Sequence, residues 1–250
     1  MEQALILAAA GLLAGAMNAL AGGGSFVSLP VLIAAGVPSV TANATSTVAL
    51  WPGALASTVV YRDGLRPVGG LGVRTMLATT LLGGAIGAGL LLSTPERLFD
   101  RILPWLALLA TLALVFAPRI GPWMQARLGG RAMPLLLAGQ LSLGIYGGYY
   151  GGAVGLMMTA LWSLVEGTDV KALAGTRVAM GAAANAAAIA CFTLAGIVHW
   201  SSALLVGGGA LAGGYAGARI GRRLPAPVVR AITLVLCVAI TSGFFARAYF

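Results

Sequence analysis

Two glycine clusters carry the first chemical suggestion in this chain. Ala21-Gly22-Gly23-Gly24-Ser25 and Tyr150-Gly151-Gly152-Ala153 each interrupt a long apolar run. Consecutive glycines break helical geometry and let the backbone turn without side-chain clashes. A helix restarting at such a tip, from about Ser25 and from about Ala153, aims its unbonded N–H groups and the positive end of its dipole at whatever lies ahead. That is the chemistry of an anion site. Polar residues gather after each tip: Asn43, Thr45, Ser46, Thr47 and Trp51 follow the first, and Thr176, Arg177 and, further on, Asn185 follow the second. Hydroxyls and amides donate to an oxyanion without the desolvation cost of a full charge. Each alone could equally back-bond to its own helix carbonyls, so the clustering carries the weight. Arg177 is the sharper feature, because a guanidinium roughly 10 Å along a buried helix needs a cavity or a partner. Glu166 and Asp169 in the preceding loop are the carboxylates that a snorkelling Arg177 could reach. Arg74 is a lesser candidate of the same kind, with Arg62 and Asp63 as local neighbours.

What is missing narrows the chemistry further. All six carboxylates (Glu2, Asp63, Glu96, Asp100, Glu166 and Asp169) fall at or near the ends of apolar runs. Proton relays and sodium sites commonly place an acid inside the bundle, so cation transport is disfavoured. Cys191 and Cys237 sit in apolar runs without Cys or His neighbours at metal spacing, and read as small buried hydrophobes. No metal site and no cofactor is expected. A nucleophilic enzyme using Ser25 with His199 finds no support in their spacing, and no G-x-S-x-G motif is present.

The elements that must position these residues follow from composition. Of 250 residues 59% are apolar, and 15 Lys and Arg with 6 Asp and Glu make the chain only 8% charged, against roughly 25% in soluble domains. The 37 glycines are spread through apolar runs without a G-X-Y period, which excludes collagen and flexible linker. An all-α polytopic integral membrane protein remains, with room for six to ten spans of about 20 residues and no separate soluble domain. The charge of +9 comes from basic residues at the ends of apolar segments, where they set topology and meet anionic lipid rather than nucleic acid. The first apolar stretch has no basic leader and no clear cleavage site, and reads as a retained membrane segment.

An internal duplication organises the spans. Gly15 to Gly24 (GAMNALAGGG) matches Gly144 to Ala153 (GIYGGYYGGA) at an offset of 129, while Ala42 to Ser46, Gly83 to Ala88 and Pro95 match Ala172 to Thr176, Gly213 to Ala218 and Pro225 at 130. Each half then reads as a glycine-broken stretch (Ala4 to Ala35; Ala132 to Val165) followed by three spans. The spans are about 39–60, 68–92 and 98–117 in the first half, and 170–195, 201–220 and 228–245 in the second. The chain divides into repeat 1 (1–117), a basic cytoplasmic loop (118–131) and repeat 2 (132–250). If each broken stretch returns to its starting side, Arg62, Arg66, Arg119, Arg127, Arg131, Lys171, Arg219, Arg222, Arg223 and Arg230 share one face, and Arg97, Arg101 and Arg247 the other, ten against three. If each crosses once, the division is seven against six. The positive-inside rule favours the hairpin, which makes the halves inverted repeats and places both termini outside. Inverted repeats would bring the two tips together near the midplane. GxxxG-like pairs such as Gly83 with Gly87 and Gly213 with Gly217 read as close helix packing, whereas three glycines in a row weaken a helix more than packing requires.

With its Gly-rich tip, the following Leu29-Pro30, the polar Ala42-Asn43-Ala44-Thr45-Ser46 and their echo in the second half, the sequence resembles the sulfite exporter TauE/SafE family of bacterial anion permeases over about Leu7 to Phe245. The resemblance implies an inner-membrane, multi-pass carrier for sulfite, a sulfonate such as sulfoacetate, or a related sulfur-containing or organic anion. Carried over by position, the site comprises Gly22, Gly23, Gly24, Ser25, Asn43, Thr45, Ser46, Gly151, Gly152, Thr176 and Arg177. The second tip is Gly-Gly-Ala where the first is triple Gly, and Met158-Thr159 replaces Leu-Pro, so the halves are expected to contribute unequally. An anion channel is the alternative, since the same tips could build one. The partners expected are a small anion and membrane lipids. Glycine-lined faces would serve a homodimer as well as contacts within one chain.

Overall fold

Each glycine cluster ends one helix and opens another. In the computed structural model, which describes residues 1–128, 132–166 and 173–249, α1 (Glu2–Ala21) gives way to α2 (Ser25–Ala34), and α6 (Ala132–Tyr150) gives way to α7 (Val154–Glu166). Three further helices follow in each half. They are α3 (Ser39–Val60), α4 (Val73–Leu92) and α5 (Glu96–Leu128), then α8 (Ala174–Leu194), α9 (Trp200–Gly221) and α10 (Ala226–Tyr249). The protein is an all-α polytopic membrane protein. Helices α1, α4, α8, the Glu96–Phe116 part of α5 and the Pro227–Tyr249 part of α10 are long and apolar enough to cross a bilayer. At 22 residues each, α3 and α9 have the length as well, with more polar or glycine residues.

Two boundaries differ from the sequence reading for local reasons. Helix α4 begins at Val73 rather than near residue 68, because Val68 and Leu71 pair in an isolated bridge across Gly69 and Gly70, whose φ values of 56° and 81° no helix accepts. Helix α5 continues to Leu128, so most of the stretch read as a loop over 118–131 is helical, and residues 129–131 lie outside the described chain. Its 33 residues extend about 50 Å at 1.5 Å each, beyond a hydrocarbon core of roughly 30 Å. Met124, Gln125, Ala126, Arg127 and Leu128 at its end are good helix formers that need no membrane to stay helical.

Small residues fix which helices meet and in which direction they run. A Cβ added at Gly209, Gly213 or Gly217 of α9 would strike the backbone of Ala8, Leu12 or Ala16 of α1, and Gly11 and Gly15 of α1 stand in the same relation to Val206 and Ala210. Both series ascend together, so α1 and α9 run parallel. Gly207 and Gly214 meet Ala49 and Gly53, which makes α3 parallel to α9 as well. The other half repeats the arrangement with partners exchanged. Gly144 and Gly148 of α6 press on Thr80 and Gly84 of α4, and Thr80 and Gly84 face Met180 and Ala184 of α8. Thus α4, α6 and α8 share one direction. Because α1 and α3 run the same way, α2 must return between them, and α7 does likewise between α6 and α8. Helices α5 and α10 close the bundle antiparallel, with Thr111 bonded to Thr241 at 3.1 Å and the Tyr249 hydroxyl donating to Arg101 O at 3.1 Å. The glycine pairs Gly83/Gly87 and Gly213/Gly217 are therefore packing residues, each seated on a neighbouring helix backbone.

The outer surface is apolar and the inner one carries the polar contacts. Leu82, Ile86, Leu90, Leu109, Leu204, Leu211 and Val235 are exposed, the pattern of a bundle facing lipid. Inside, the Gln140 amide donates to Thr80 Oγ1 at 2.8 Å and accepts from Trp162 Nε1 at 3.0 Å, locking α6 to α4 and α7. Two carboxylates serve a helix end. Ser39 Oγ donates to Asp100, and Val40 N–H donates to Glu96 Oε2 at 2.9 Å, placing both acids at the positive end of α3.

Candidate functional site

The two tips open alike, each on a left-handed glycine. Gly22 follows α1 at φ 81° and donates its N–H to Asn18 O at 2.8 Å, closing the helix as a left-handed cap. Gly151 stands 129 residues on at φ 69°. An L side chain would be strained at either position, and a Cβ on Gly22 would also lie 2.7 Å from Gly155 Cα. So the two breaks touch, Gly22 of the first against Gly155 of the second. Helix α2 takes its first bonds from Phe26 N–H to Gly23 O (3.1 Å) and from Val27 N–H to Gly24 O (3.0 Å). The N–H groups ahead of them are the leading donors that a helix start leaves unmatched. Gly24 is packed against Ala14 O and the Asn18 side chain, Ser25 is buried at its side, and Gly152 lies against the Tyr150 ring.

Arg177 enters this junction from α8. It is 5% exposed and is the one buried charged side chain among the described residues. Its Nη2 donates to Ala19 O at 3.0 Å and to Leu20 O at 2.9 Å, so the guanidinium caps the negative end of α1. Its Nε is buried without a partner. Asp169 and the Glu166 side chain, the carboxylates that the sequence offered, lie outside what is described, and no carboxylate among the described residues pairs with Arg177. Burial raises the Tyr61 phenol above its ordinary value, with Arg177 and Arg222 pulling the other way, so Tyr61 offers Arg177 no negative charge at physiological pH. Leaving a charged donor unsatisfied in a buried place costs more than a lost neutral bond. The junction is a small cavity with about 20 Å³ of room, bordered by Asn18, Gly22, Gly151, Gly155, Arg177 and Asn185. That is space for about one water; an organic anion would need the cavity to open.

The remaining predicted residues spread outward from this junction. Asn43, 1% exposed, donates Nδ2 to Tyr149 O at 2.9 Å and keeps a buried, unpartnered Oδ1. Ser46 shares a 2.6 Å bond with Ser28 of α2. Thr45 Oγ1 accepts the His199 N–H at 3.0 Å, while Thr176 Oγ1 accepts from Arg66 N at 2.8 Å and donates to Arg66 O at 2.9 Å. These two hydroxyls tether loops of the opposite half. Thr47 back-bonds to Asn43 O at 2.9 Å, and its oxygen would be 2.8 Å from a Cβ on Gly151. Of the eleven predicted residues, Gly22, Gly151 and Arg177 line the cavity. Asn185 joins them, and so does Asn18, which the sequence reading passed over. Its signal was an amide four residues before a helix-ending glycine. Arg74 is exposed in the first turn of α4 and has no place in the site, and His199 bonds Ser202 at 2.9 Å in the turn before α9.

A probable membrane transporter protein of Haemophilus influenzae is 26% identical over 240 residues, covering 95% of this chain and 92% of its own. The probable membrane transporter protein YfcA of Escherichia coli K12 is 28% identical over 215 residues, 85% of this chain and 77% of its own. A probable membrane transporter protein of Sinorhizobium sp. is 25% identical over 237 residues, 92% and 88%. No solved structure matches the chain. The family model for the sulfite exporter TauE/SafE matches residues 7–244, and the chain belongs to that family of membrane transporters.

Proposed function

We propose that this transporter is a secondary carrier for a small anion, with sulfite, sulfoacetate or a related sulfur-containing anion as the simplest substrates. The observation that carries the reading is the buried Arg177, with an unpartnered Nε on the wall of a cavity where both chain breaks meet. An oxyanion there would supply the acceptor that Nε lacks and the counter-charge that the guanidinium lacks. The backbone N–H groups of Gly23, Gly24 and Ser25 at the start of α2, and those of Gly151 and Gly152, would complete the shell as the cavity opens. We read the two halves as inverted repeats, a reading supported by α5 running antiparallel to its counterpart α10 and by the two parallel sets α1, α3, α9 and α4, α6, α8. Alternating access then follows from rocking one half against the other. A cavity with room for about one water favours a carrier over an open channel. The basic end, with Arg62, Arg66, Arg219, Arg222, Arg223 and Arg230, is assigned to the cytoplasm of a bacterial inner membrane.

The test is saturable uptake of labelled sulfite and sulfoacetate into proteoliposomes, with Arg177→Gln beside the parent. Sulfur-oxyanion flux that exchanges across the membrane, and a KM raised at least about tenfold in the variant, support the reading. Equal flux in parent and variant, or stepwise single-channel currents, would sink it.

A further inference from the structure

Asn43 and Arg177 do the same work from opposite halves. A helix leaves its last carbonyls unbonded, and in a membrane interior those groups are costly unless something donates to them. Helix α1 ends at Ala21, and its Ala19 and Leu20 carbonyls receive Arg177 of α8. Helix α6 ends at Tyr150, and its Tyr149 carbonyl receives the Asn43 amide of α3 at 2.9 Å. Each broken helix is thus held at its end by a span of the other half, the place where a motion of one half against the other must give.

The two clamps differ in strength. The first is charge-assisted and twofold, the second neutral and single. The backbones differ in the same sense. At the register position where the first tip has Gly24 at φ −58°, the second has Ala153 at φ 59°, the left-handed region that an alanine rarely enters. Strain of this kind persists only while surrounding contacts impose it. We propose that Asn43 is a positioning residue that holds the α6–α7 tip in the present conformation, and that this second tip, rather than the first, moves when the halves part. The inference builds on the carrier reading of the same site, yet its structural part can be measured without substrate.

Ser25 and Val154 occupy equivalent register positions, and both are buried, at 4% exposure each. Ser25→Cys and Val154→Cys are made singly in a background carrying Cys191→Ala and Cys237→Ala. Each is then labelled with a membrane-impermeant maleimide in proteoliposomes. Adding Asn43→Leu should raise labelling at position 154 about fivefold or more and leave position 25 within twofold. Adding Ala153→Gly, which accepts the left-handed backbone without strain, should lower labelling at 154 by about fivefold. Asn43→Leu should also reduce maximal flux with KM within twofold. Equal changes at both tips, a change at 25 alone, no change at 154, or a tenfold rise in KM at unchanged maximal flux would each overturn the proposal. If Asn43→Leu does not fold, the Ala153→Gly labelling decides. The predicted labelling pattern in a protein that moves no sulfur anion would remove the carrier reading and leave the positioning role standing.

Discussion

Arg177 shows how much of one residue a sequence can carry. Its depth in an apolar segment calls for a cavity or a partner, with Glu166 and Asp169 as the carboxylates that a snorkelling side chain could reach instead. The structure gives it two backbone carbonyls at the end of α1, acceptors that no side-chain pattern announces. Arg177→Lys should not rescue Arg177→Gln, because an ammonium is a point charge without the fork that serves two carbonyls and an anion together. The check is the KM for sulfite in the two variants, expected to rise at least about tenfold in both. Gly22→Ala carries two penalties, a left-handed φ and a collision with Gly155. It should destabilise the purified protein by about 1–2 kcal/mol from the backbone alone, read as a lowered melting temperature in detergent.

At the scale of helices, glycines sort into those that seat a neighbour and those that do not. Gly213 lies on the α1 backbone, whereas the exposed Gly208 and Gly243 would each meet nothing within 4 Å of an added Cβ. Gly213→Ala should therefore lower stability or yield. Gly208→Ala and Gly243→Ala should be neutral or raise stability by up to about 1 kcal/mol through helix propensity. Thermal unfolding of the three variants separates these outcomes, and similar behaviour in all three would contradict the packing assignment. The hydroxyls behave alike across the halves, Thr45 holding the turn before α9 and Thr176 the turn before α4. From sequence these residues looked like anion donors. A hydroxyl beside a tip and a hydroxyl one helical turn away are indistinguishable in a string of letters, and only the fold shows which carbonyl or amide each reaches.

For the whole molecule, the directions of the helices predict a sidedness that labelling can read. Cysteines introduced at Arg66 and Arg223 should react from one face of the membrane, and one introduced at Arg97 from the other. All three labelling from the same face would remove the hairpin topology and with it the inverted relation of the halves. The carboxylates fit the same picture. Glu96 and Asp100 sit at the start of α3 as helix-end partners, which explains acids at span ends without a relay role.

Composition and the glycine tips were enough to establish a helical membrane protein with a chain break at each tip, because burial in lipid demands long apolar helices and glycine accepts the left-handed backbone at which each break begins. Residue order could not decide which helix packs on which, or where a buried donor ends up. Those depend on contacts between residues more than 100 positions apart, such as Asn43 with Tyr149 and Arg177 with Leu20. The same distance explains why Asn18 was missed: its amide borders the cavity only because α7 and α8 of the other half close over it.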